Sequence, residues 1–467
     1  MLYECHHLDR FGFANLDYID EIQESEKKAV ILIAGASSSG KSFAASYLNK
    51  LLEKYEHNSL IISLDSYNIG LSGIIPNKVN ANFFDGTLNN MDEIKKRIKG
   101  IIYDVNFDNK FSDEVLLKIK EELKDIIPPT DMNKFLYGLK IEWSKVNFDE
   151  PTVYDMKEAF EDIKILINDG DISEKKYSKV FSERVPNDIV HHGKDYDIII
   201  VEGIYALDDS FLDFFKDSNI PLITNFIDGN AKTLFLRRII RDKQTTSADN
   251  IFTIQLYFKY ILKAYYETIL PSRANADIVL NNDMNFTELT NGELYLTKDE
   301  VFTDDATIYE DIKKESIIKE ISYQKDIYFI TKNENERLVM NNILRLRSIS
   351  NDNGNNYTLS SLIHKGKIKL RKDDKIIRPI NILLSEDEIK KVWNSEEQCI
   401  KDFYYAGFMI GKIVKKVKTR LVYKNQDLTL KQFVGPGSYI EFNKPYVNSV
   451  ITSIKNRVTD SKTNLIK

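Results

Sequence analysis

The chain has 467 residues, of which 42% are hydrophobic and 29% charged, with a formal net charge of −6. At about 100–200 residues per domain, this length predicts two to four units, each able to bury a core. Nineteen glycines and ten prolines are too few for a low-complexity or fibrous protein, and the two cysteines, Cys5 and Cys399, exclude a disulfide framework and a multi-cysteine zinc site. No apolar run reaches the roughly 18–20 residues of a membrane span. Residues 1–20 lack the basic and apolar regions of a secretory signal. The expectation is a soluble, cytoplasmic protein with no membrane partner. The charge is uneven: residues 310–467 sum to +11 and residues 1–309 to −17, which predicts two differently employed halves. A basic half suits nucleic acid, phosphate chains or the acidic half itself.

In chain order, residues 1–28 form an N-terminal segment. Apolar runs at 29–34, 60–64, 198–201, 222–227 and 278–280 predict buried strands of a parallel sheet, with helical patterns between them as βαβ alternation requires. Gly35-Ala36-Ser37-Ser38-Ser39-Gly40-Lys41-Ser42 matches GxxxxGK[ST] between the first of these strands and a helical stretch at 43–53. Its glycines let backbone amides turn inward around phosphate oxygens, and the helix start adds the positive end of its dipole. Lys41 would reach the β- and γ-phosphates, and the Ser42 hydroxyl would coordinate Mg²⁺. The motif predicts a bound nucleoside triphosphate and leaves open whether phosphate passes to water, a protein or a small molecule. Asp65, in Ser63-Leu64-Asp65-Ser66-Tyr67, stands at the carboxyl end of the next strand. A carboxylate there can orient a hydroxyl or a metal-bound water, or cap a helix.

Charged helical stretches at 91–102 and 112–127 end at Pro128-Pro129. Arg237, Arg238 and Arg241 read either as a lid that closes over phosphate or as a solvated helix face. Residues 285–310 are polar and acidic and are expected to be a linker. Alternating stretches at 342–347, 365–371, 414–423 and 428–433 follow, with a helix that starts at Ser385-Glu386-Asp387-Glu388 in capping-box spacing. They predict an α+β antiparallel sheet or barrel. Arg345 and Arg347 share one strand face, as do Lys418 and Arg420, because i and i+2 lie on the same side. Such cations make either a positive cavity for a polyphosphate or an ordinary solvated face.

Several segments together carry a resemblance. Asp65-Ser66-Tyr67, Asn147-Phe148-Asp149-Glu150-Pro151-Thr152-Val153-Tyr154-Asp155, Val201-Glu202-Gly203-Ile204, Leu236-Arg237-Arg238-Ile239-Ile240-Arg241-Asp242, and Leu270-Pro271-Ser272-Arg273 with Ala276-Asp277-Ile278 follow the phosphate loop in order. They resemble the DxFY, NFDHPDAFD, EG, RRxxRD and late P-[ST]-[KR]…AD-[IV] motifs of the uridine–cytidine kinases, within the uridine kinase/phosphoribulokinase-like P-loop kinases. The resemblance implies an α/β P-loop domain at 29–284, a parallel sheet with helices on both faces, broken by an insertion at 71–145 that would be a surface excursion or lid. It implies transfer of the γ-phosphoryl group of MgATP to a nucleoside-like, uridine- or cytidine-type hydroxyl. In it, Asp65 would take the acceptor's proton, and Ser42 and Glu202 would hold Mg²⁺. Asp149, Tyr177 and Arg184 would bind the nucleoside, and Arg238 and Arg241 would neutralise the transferring phosphoryl group. Glu150 and Ser182 stand where the family has histidines, and Thr246-Ser247-Ala248 replaces its RGR.

Arg345-Leu346-Arg347, Lys365-Gly366, the helix near 385, Lys418-Thr419-Arg420 and Gly437-Ser438-Tyr439-Ile440-Glu441 follow the order of the CYTH, or triphosphate tunnel, domain. This second resemblance implies a CYTH-like antiparallel barrel at 311–467. Its anion site would use Arg345, Arg347, Lys365, Lys418, Arg420 and Glu441 for a triphosphate or polyphosphate. Residues 319–324 keep at most one glutamate, Glu320, of that family's metal-binding ExExK. The alternative function, motivated by Glu320 and the basic strands and opposed by the broken ExExK, is hydrolysis of polyphosphate, pyrophosphate or a nucleoside triphosphate, with the P-loop domain accessory. Nucleic acid is not expected, since clustered aromatic and basic residues for stacking single strands are absent. A homo-oligomer is left open. Cys5-His6-His7 reads as a terminal tail and His191-His192 as loop surface.

Overall fold

The computed structural model describes residues 2–23, 28–106, 109–229, 231–245, 250–282, 299–303, 306–331, 343–351, 354–362, 380–384, 386–433, 438–442, 452, 454 and 456. The chain divides into two compact units, one of residues 1–229, 240–248 and 256–283, the other of residues 230–239, 249–255 and 284–467.

The first unit is built on strands β1 (Tyr3–Cys5), β2 (Ala29–Gly35), β3 (Ser59–Ser63), β4 (Ile198–Glu202), β5 (Leu222–Asp228) and β6 (Ile278–Asn281). They form one parallel sheet in the order β1-β6-β5-β2-β4-β3. Its main helices are α1 (Leu8–Gln23), α2 (Lys41–Lys54), α3 (Leu71–Phe84), α4 (Met91–Ile102), α5 (Asp113–Glu122), α6 (Pro129–Ser144) and α7 (Met156–Ile167). A further helix, α8 (Ala231–Thr245), contributes residues 240–245. Every residue of β2 and β4 is buried because both sheet faces are covered. On one face Phe11, Leu16 and Ile19 of α1, with Leu48 and Leu52 of α2, pack on Ile31, Ile33, Ile198 and Ile200. On the other, Ala159, Ile163 and Leu166 of α7 meet Val30, Leu32, Ile199 and Val201. The five strands expected from the sequence are all in this sheet. The boundary at residue 29 is corrected: β1 pairs with β6, and α1 covers the sheet, so residues 3–23 are part of the same unit.

The insertion at 71–145 is helical, with a core of its own. In α4, Ile94, Ile98 and Ile102 recur every four residues and form one buried stripe. They pack with Ile74 and Val79 of α3, Ile119 of α5 and Phe135 of α6. The start of α3 is fastened by a distant carboxylate. The Ser72 amide donates to Glu183 Oε1 at 2.6 Å and the Ser72 hydroxyl to Oε2 at 2.8 Å, so two donors at a helix start find an acceptor. Gly70 precedes them at φ +75°, where a Cβ would lie 2.3 Å from Glu183 Oε2. Burial pushes the Glu183 carboxyl above its usual range, against the lowering effect of the Ser72 bonds.

The second unit carries β7 (Asp299–Thr303), α9 (Ala306–Lys314), β8 (Ser316–Thr331), β9 (Ile343–Asn351), β10 (Gly354–Leu362), β11 (Ile380–Leu384), α10 (Glu386–Val392), α11 (Glu396–Tyr405), β12 (Phe408–Tyr423), β13 (Gln426–Phe433) and β14 (Ser438–Phe442). The strands form one antiparallel sheet in the order β7-β14-β13-β12-β8-β9-β10-β11. The linker expected at 285–310 is corrected for residues 299–303 and 306–310. The first are an edge strand paired with β14, and the second belong to α9, whose Ile308, Tyr309 and Ile312 enter a core with Leu421, Tyr423 and Leu430. The barrel goes beyond what the strands give: among the described residues, no pairing joins β7 to β11.

Asp326 of β8 is fully buried, and its two oxygens accept from Arg347 Nε at 2.6 Å and Nη2 at 2.8 Å. Lys416 Nζ adds a bond at 3.2 Å and Gln324 Nε2 one at 2.9 Å. Burial alone would raise this carboxyl. The Arg347 bonds, and the charges of Arg347 and Lys416, outweigh it and hold the group well below its usual 3.8. Removing the carboxylate leaves two cations without their counter-charge. Asp326→Asn is expected to cost about 3–5 kcal/mol, the range for breaking a buried ion pair. Arg420→Gln, which breaks an exposed pair with Glu320, is expected to cost under about 1 kcal/mol. Urea unfolding in a Trp143→Phe background, followed by the fluorescence of buried Trp393, measures both. Because the folded pKa of Asp326 is depressed, its contribution is present above pH 3.8 and is lost as pH falls through the folded value.

Candidate active site

A sheet buried on both faces exposes polar groups only at its strand ends, and three strands end together here. β2 stops at Gly35, β3 at Ser63 and β4 at Glu202, with Ile33 and Ser63 both opposite Glu202 in register. Beyond β2 the chain turns sharply. Gly35 has φ +146° and would place a Cβ 2.3 Å from the Ile227 carbonyl oxygen of β5; Ser38 has φ +66° and Gly40 φ +100°. A Cβ on Gly40 would meet Asn282 Nδ2 at 2.5 Å, and that amide donates to the Ser39 carbonyl at 2.8 Å. Glycine is therefore required at both ends of the loop.

Lys41 opens α2 and is buried, its Nζ donating to the Ala36 carbonyl at 2.9 Å. Burial pushes its ammonium below the ordinary lysine range; the carboxylates of Glu202, Asp65 and Asp149 act in the opposite sense, and Arg241 adds to the lowering. These five groups thus share one electrostatic neighbourhood. Ser42 follows Lys41 and is exposed. Ser38 Oγ is buried without a hydrogen-bond partner, so its hydroxyl is a donor open to an acceptor. The cradle, the ammonium and this unmatched hydroxyl fit a phosphate chain.

Asp65 sits in a short 3₁₀ turn after β3, half exposed, with Lys179 Nζ at 3.5 Å. Glu202 is buried and accepts from Ser63 Oγ at 2.7 Å. On α8, Arg241 reaches the loop, Nη1 donating to Ser37 Oγ at 3.4 Å, and it also grips Asp242 at 2.8 Å. Arg238 lies three residues earlier on the same helix and is half-buried. The residues expected for the acceptor are also near the Asp65 turn. Arg184 donates from Nε to the Asn68 carbonyl at 3.0 Å and from Nη2 to the Tyr67 carbonyl at 2.8 Å, and pairs with Glu158 at 2.6 Å. Asp149 is buried in a turn where its amide donates to Asn147 Oδ1 at 3.0 Å, and its carbonyl accepts from the Tyr205 hydroxyl. Tyr177 is partly buried on a two-residue strand, and burial raises its hydroxyl well above the usual range.

Two residues stand where the kinases that the sequence resembles have histidines. Glu150 forms an ion pair with Lys78 of α3 at 2.5 Å, and Ser182 is buried at φ +53° with its hydroxyl donating to the Lys179 carbonyl. Sequence reasoning missed Lys179, Asn282 and the tyrosine pair Tyr154–Tyr205, whose rings meet edge-on at 5.9 Å. No spacing pattern marks them, since their roles come from distant parts of the chain.

In the second unit, register puts Arg345 opposite Tyr328, Arg347 opposite Asp326, Lys418 opposite Ser322 and Arg420 opposite Glu320. By register the first four share one face, and Glu441 is opposite Thr429, itself opposite Arg420. Arg347 is committed to Asp326 and Arg420 to Glu320. Lys365 lies outside the described residues. Sequence reasoning missed Asp326 and Lys416; the alternation Glu320, Ser322, Gln324, Asp326 is the signal that could have found the first.

Among solved structures, the chain is similar to a possible uridine kinase from Bacillus stearothermophilus, at 13% identity and a TM-score of 0.28, over 57% of this chain and 99% of that one. It is 29% identical to a uridine kinase of Macrococcus caseolyticus over 136 residues, which is 29% of this chain and 63% of that protein. A uridine kinase of Staphylococcus aureus is 28% identical over 136 residues, 29% of this chain and 62% of the relative. The chain thus spans somewhat less than two thirds of the length of these curated relatives. Asp149, Tyr177, Arg184, Glu202, Arg238 and Arg241 fall within the stretch that matches a family model, whereas the phosphate loop and Asp65 precede it. That stretch, residues 134–285, matches the phosphoribulokinase/uridine kinase family.

Proposed function

We propose that the chain is an ATP-dependent kinase that transfers the γ-phosphoryl group of MgATP to a nucleoside-like hydroxyl. The observation that carries this reading is the meeting of two cations from different elements, Lys41 of α2 and Arg241 of α8, at one glycine-bounded loop beside the Asp65 turn. Phosphoryl transfer is mostly positioning and charge compensation, and this set supplies both.

In this reading the loop amides and Lys41 hold the β- and γ-phosphates, and Arg241, with Arg238 one turn earlier, neutralises the charge that spreads over the transferring group. The acceptor oxygen attacks phosphorus in line as the bond to the ADP oxygen breaks, and Asp65 takes the hydroxyl proton before passing it to solvent. Asp149 and Tyr177 would orient the acceptor. Ser42 and Glu202 would hold Mg²⁺, which when bound offsets the negative charge on the phosphate oxygens; one hydroxyl, one carboxylate and substrate phosphates are a usual set for this ion. The buried Ser182 and the Lys78-bound Glu150 argue that the base-reading contacts differ from those of the uridine kinases it resembles.

Two substitutions test the site. Lys41→Ala is expected to abolish binding of an ATP analogue in calorimetry and, with it, transfer; undiminished transfer dismisses the loop as the donor site. Asp65→Asn is expected to keep analogue binding while kcat falls by about 10²–10⁴, the usual range for a general base. A fall of less than tenfold assigns the proton to another group.

A further inference from the structure

Behind the Asp65 turn, two acids and two cations form a closed circuit that begins and ends on one tyrosine. Glu158 and Asp162 stand one helical turn apart on α7, so their side chains share a face. Arg184 pairs with Glu158 through Nη1, and donates from Nη2 to the Tyr67 carbonyl and from Nε to the Asn68 carbonyl. Lys175 Nζ lies 3.0 Å from Asp162 Oδ2 and 3.6 Å from Glu158 Oε1. Asp162 Oδ2 accepts from the Tyr67 hydroxyl at 2.9 Å, which brings the path back to its start. Burial, and then the Asp162 carboxylate, push that hydroxyl well above its usual range, so it stays a donor.

The charges of the circuit cancel, so none is left over for an anionic ligand. What it holds is backbone. The 3₁₀ segment Leu64–Tyr67 is a single turn, too short to persist alone, and its last carbonyls need donors from outside. The Asp155 amide donates to the Tyr67 carbonyl at 3.0 Å, and Arg184 supplies further donors to Tyr67 and Asn68. At Asp65 itself, Lys179 is half exposed and 3.5 Å away, a weak restraint. The place of the carboxylate is therefore set from Tyr67, two residues on.

We propose that Arg184, Glu158 and Asp162 are positioning residues, which act on phosphotransfer by fixing the Asp65 turn, and that Arg184 does not contact the acceptor. The inference rests on the phosphotransfer reading above, with Asp65 as base, and reassigns Arg184 within it. Nε, Nη1 and Nη2 of Arg184 are each spent on protein acceptors, in contrast to the nucleoside contact that the resemblance implies. A base displaced by about 1 Å can cost on the order of 10²-fold in rate while the binding contacts stay intact.

The test uses the full chain with MgATP and whichever of uridine, cytidine and adenosine turns over fastest. Arg184→Ala is expected to lower kcat by about tenfold or more while the nucleoside KM moves by less than about threefold. Arg184→Lys is expected to recover part of that loss. Tyr67→Phe, which opens the circuit at a buried hydroxyl, is expected to lower kcat in the same pattern. In an Asp65→Asn background, Arg184→Ala is expected to lower kcat by less than about threefold further, since a residue acting through the base has nothing left to position. A KM rise of about tenfold with kcat kept returns Arg184 to the acceptor and overturns the proposal. So does an unchanged kcat, or an undiminished loss in the Asp65→Asn background. If Arg184→Ala does not fold, Glu158→Gln and Tyr67→Phe decide by the same split. If the unaltered chain turns over none of the nucleosides, the phosphotransfer reading fails, and hydrogen exchange of the amides at 64–69 decides on the brace. Faster exchange in Arg184→Ala and Tyr67→Phe supports it, and unchanged exchange overturns it.

Discussion

The approach of Gly35 to the Ile227 carbonyl is the contact on which the site depends. It lets β2 stay in register with β5 to its last residue and still release the chain into a loop whose amides turn inward. Any side chain at that position would push the two strands apart where the phosphate cradle begins. The rest of the geometry is inherited from the sheet. With both faces buried, Ser63, Asp65 and Glu202 have nowhere to be polar except at the ends of β3 and β4, beside the loop.

Charge compensation governs both units, with opposite signs. Lys41 is a buried cation among carboxylates from three separate segments, each contributing from a strand end or turn. Asp326 is a buried anion among cations from β9 and β12. The first arrangement leaves an unmatched donor at Ser38 and a half-exposed carboxylate at Asp65, beside Lys179. The second is closed on itself, which draws Arg347 away from the anion-binding role its position on the strand suggested.

The parallel sheet was legible in the sequence because strands buried on both faces read as uninterrupted apolar runs, such as residues 29–34 and 198–201. The phosphate loop was legible because its chemistry requires glycines and lysine at fixed spacing. β1 was not, since Tyr3-Glu4-Cys5 is a short edge strand whose pairing with β6 spans nearly the whole first unit. Nor was β7, whose Asp299-Glu300 start looks like linker until β14 pairs with it. The helical insertion was legible as helices from the spacing of Ile94, Ile98 and Ile102, but the circuit behind the Asp65 turn was not. That circuit needs Asp162 and Arg184, distant in sequence from Tyr67, to fold against it.

The fastening of α3 by Glu183 bears on how such a chain could be altered. Gly70 provides the room, Ser72 the two donors and Glu183 the acceptor, and these lie on both flanks of the inserted segment. A transplant of residues 71–145 into another scaffold would carry only the serine. The recipient would have to supply the glycine and the glutamate at matching points, or the graft would begin with two donors lacking their acid.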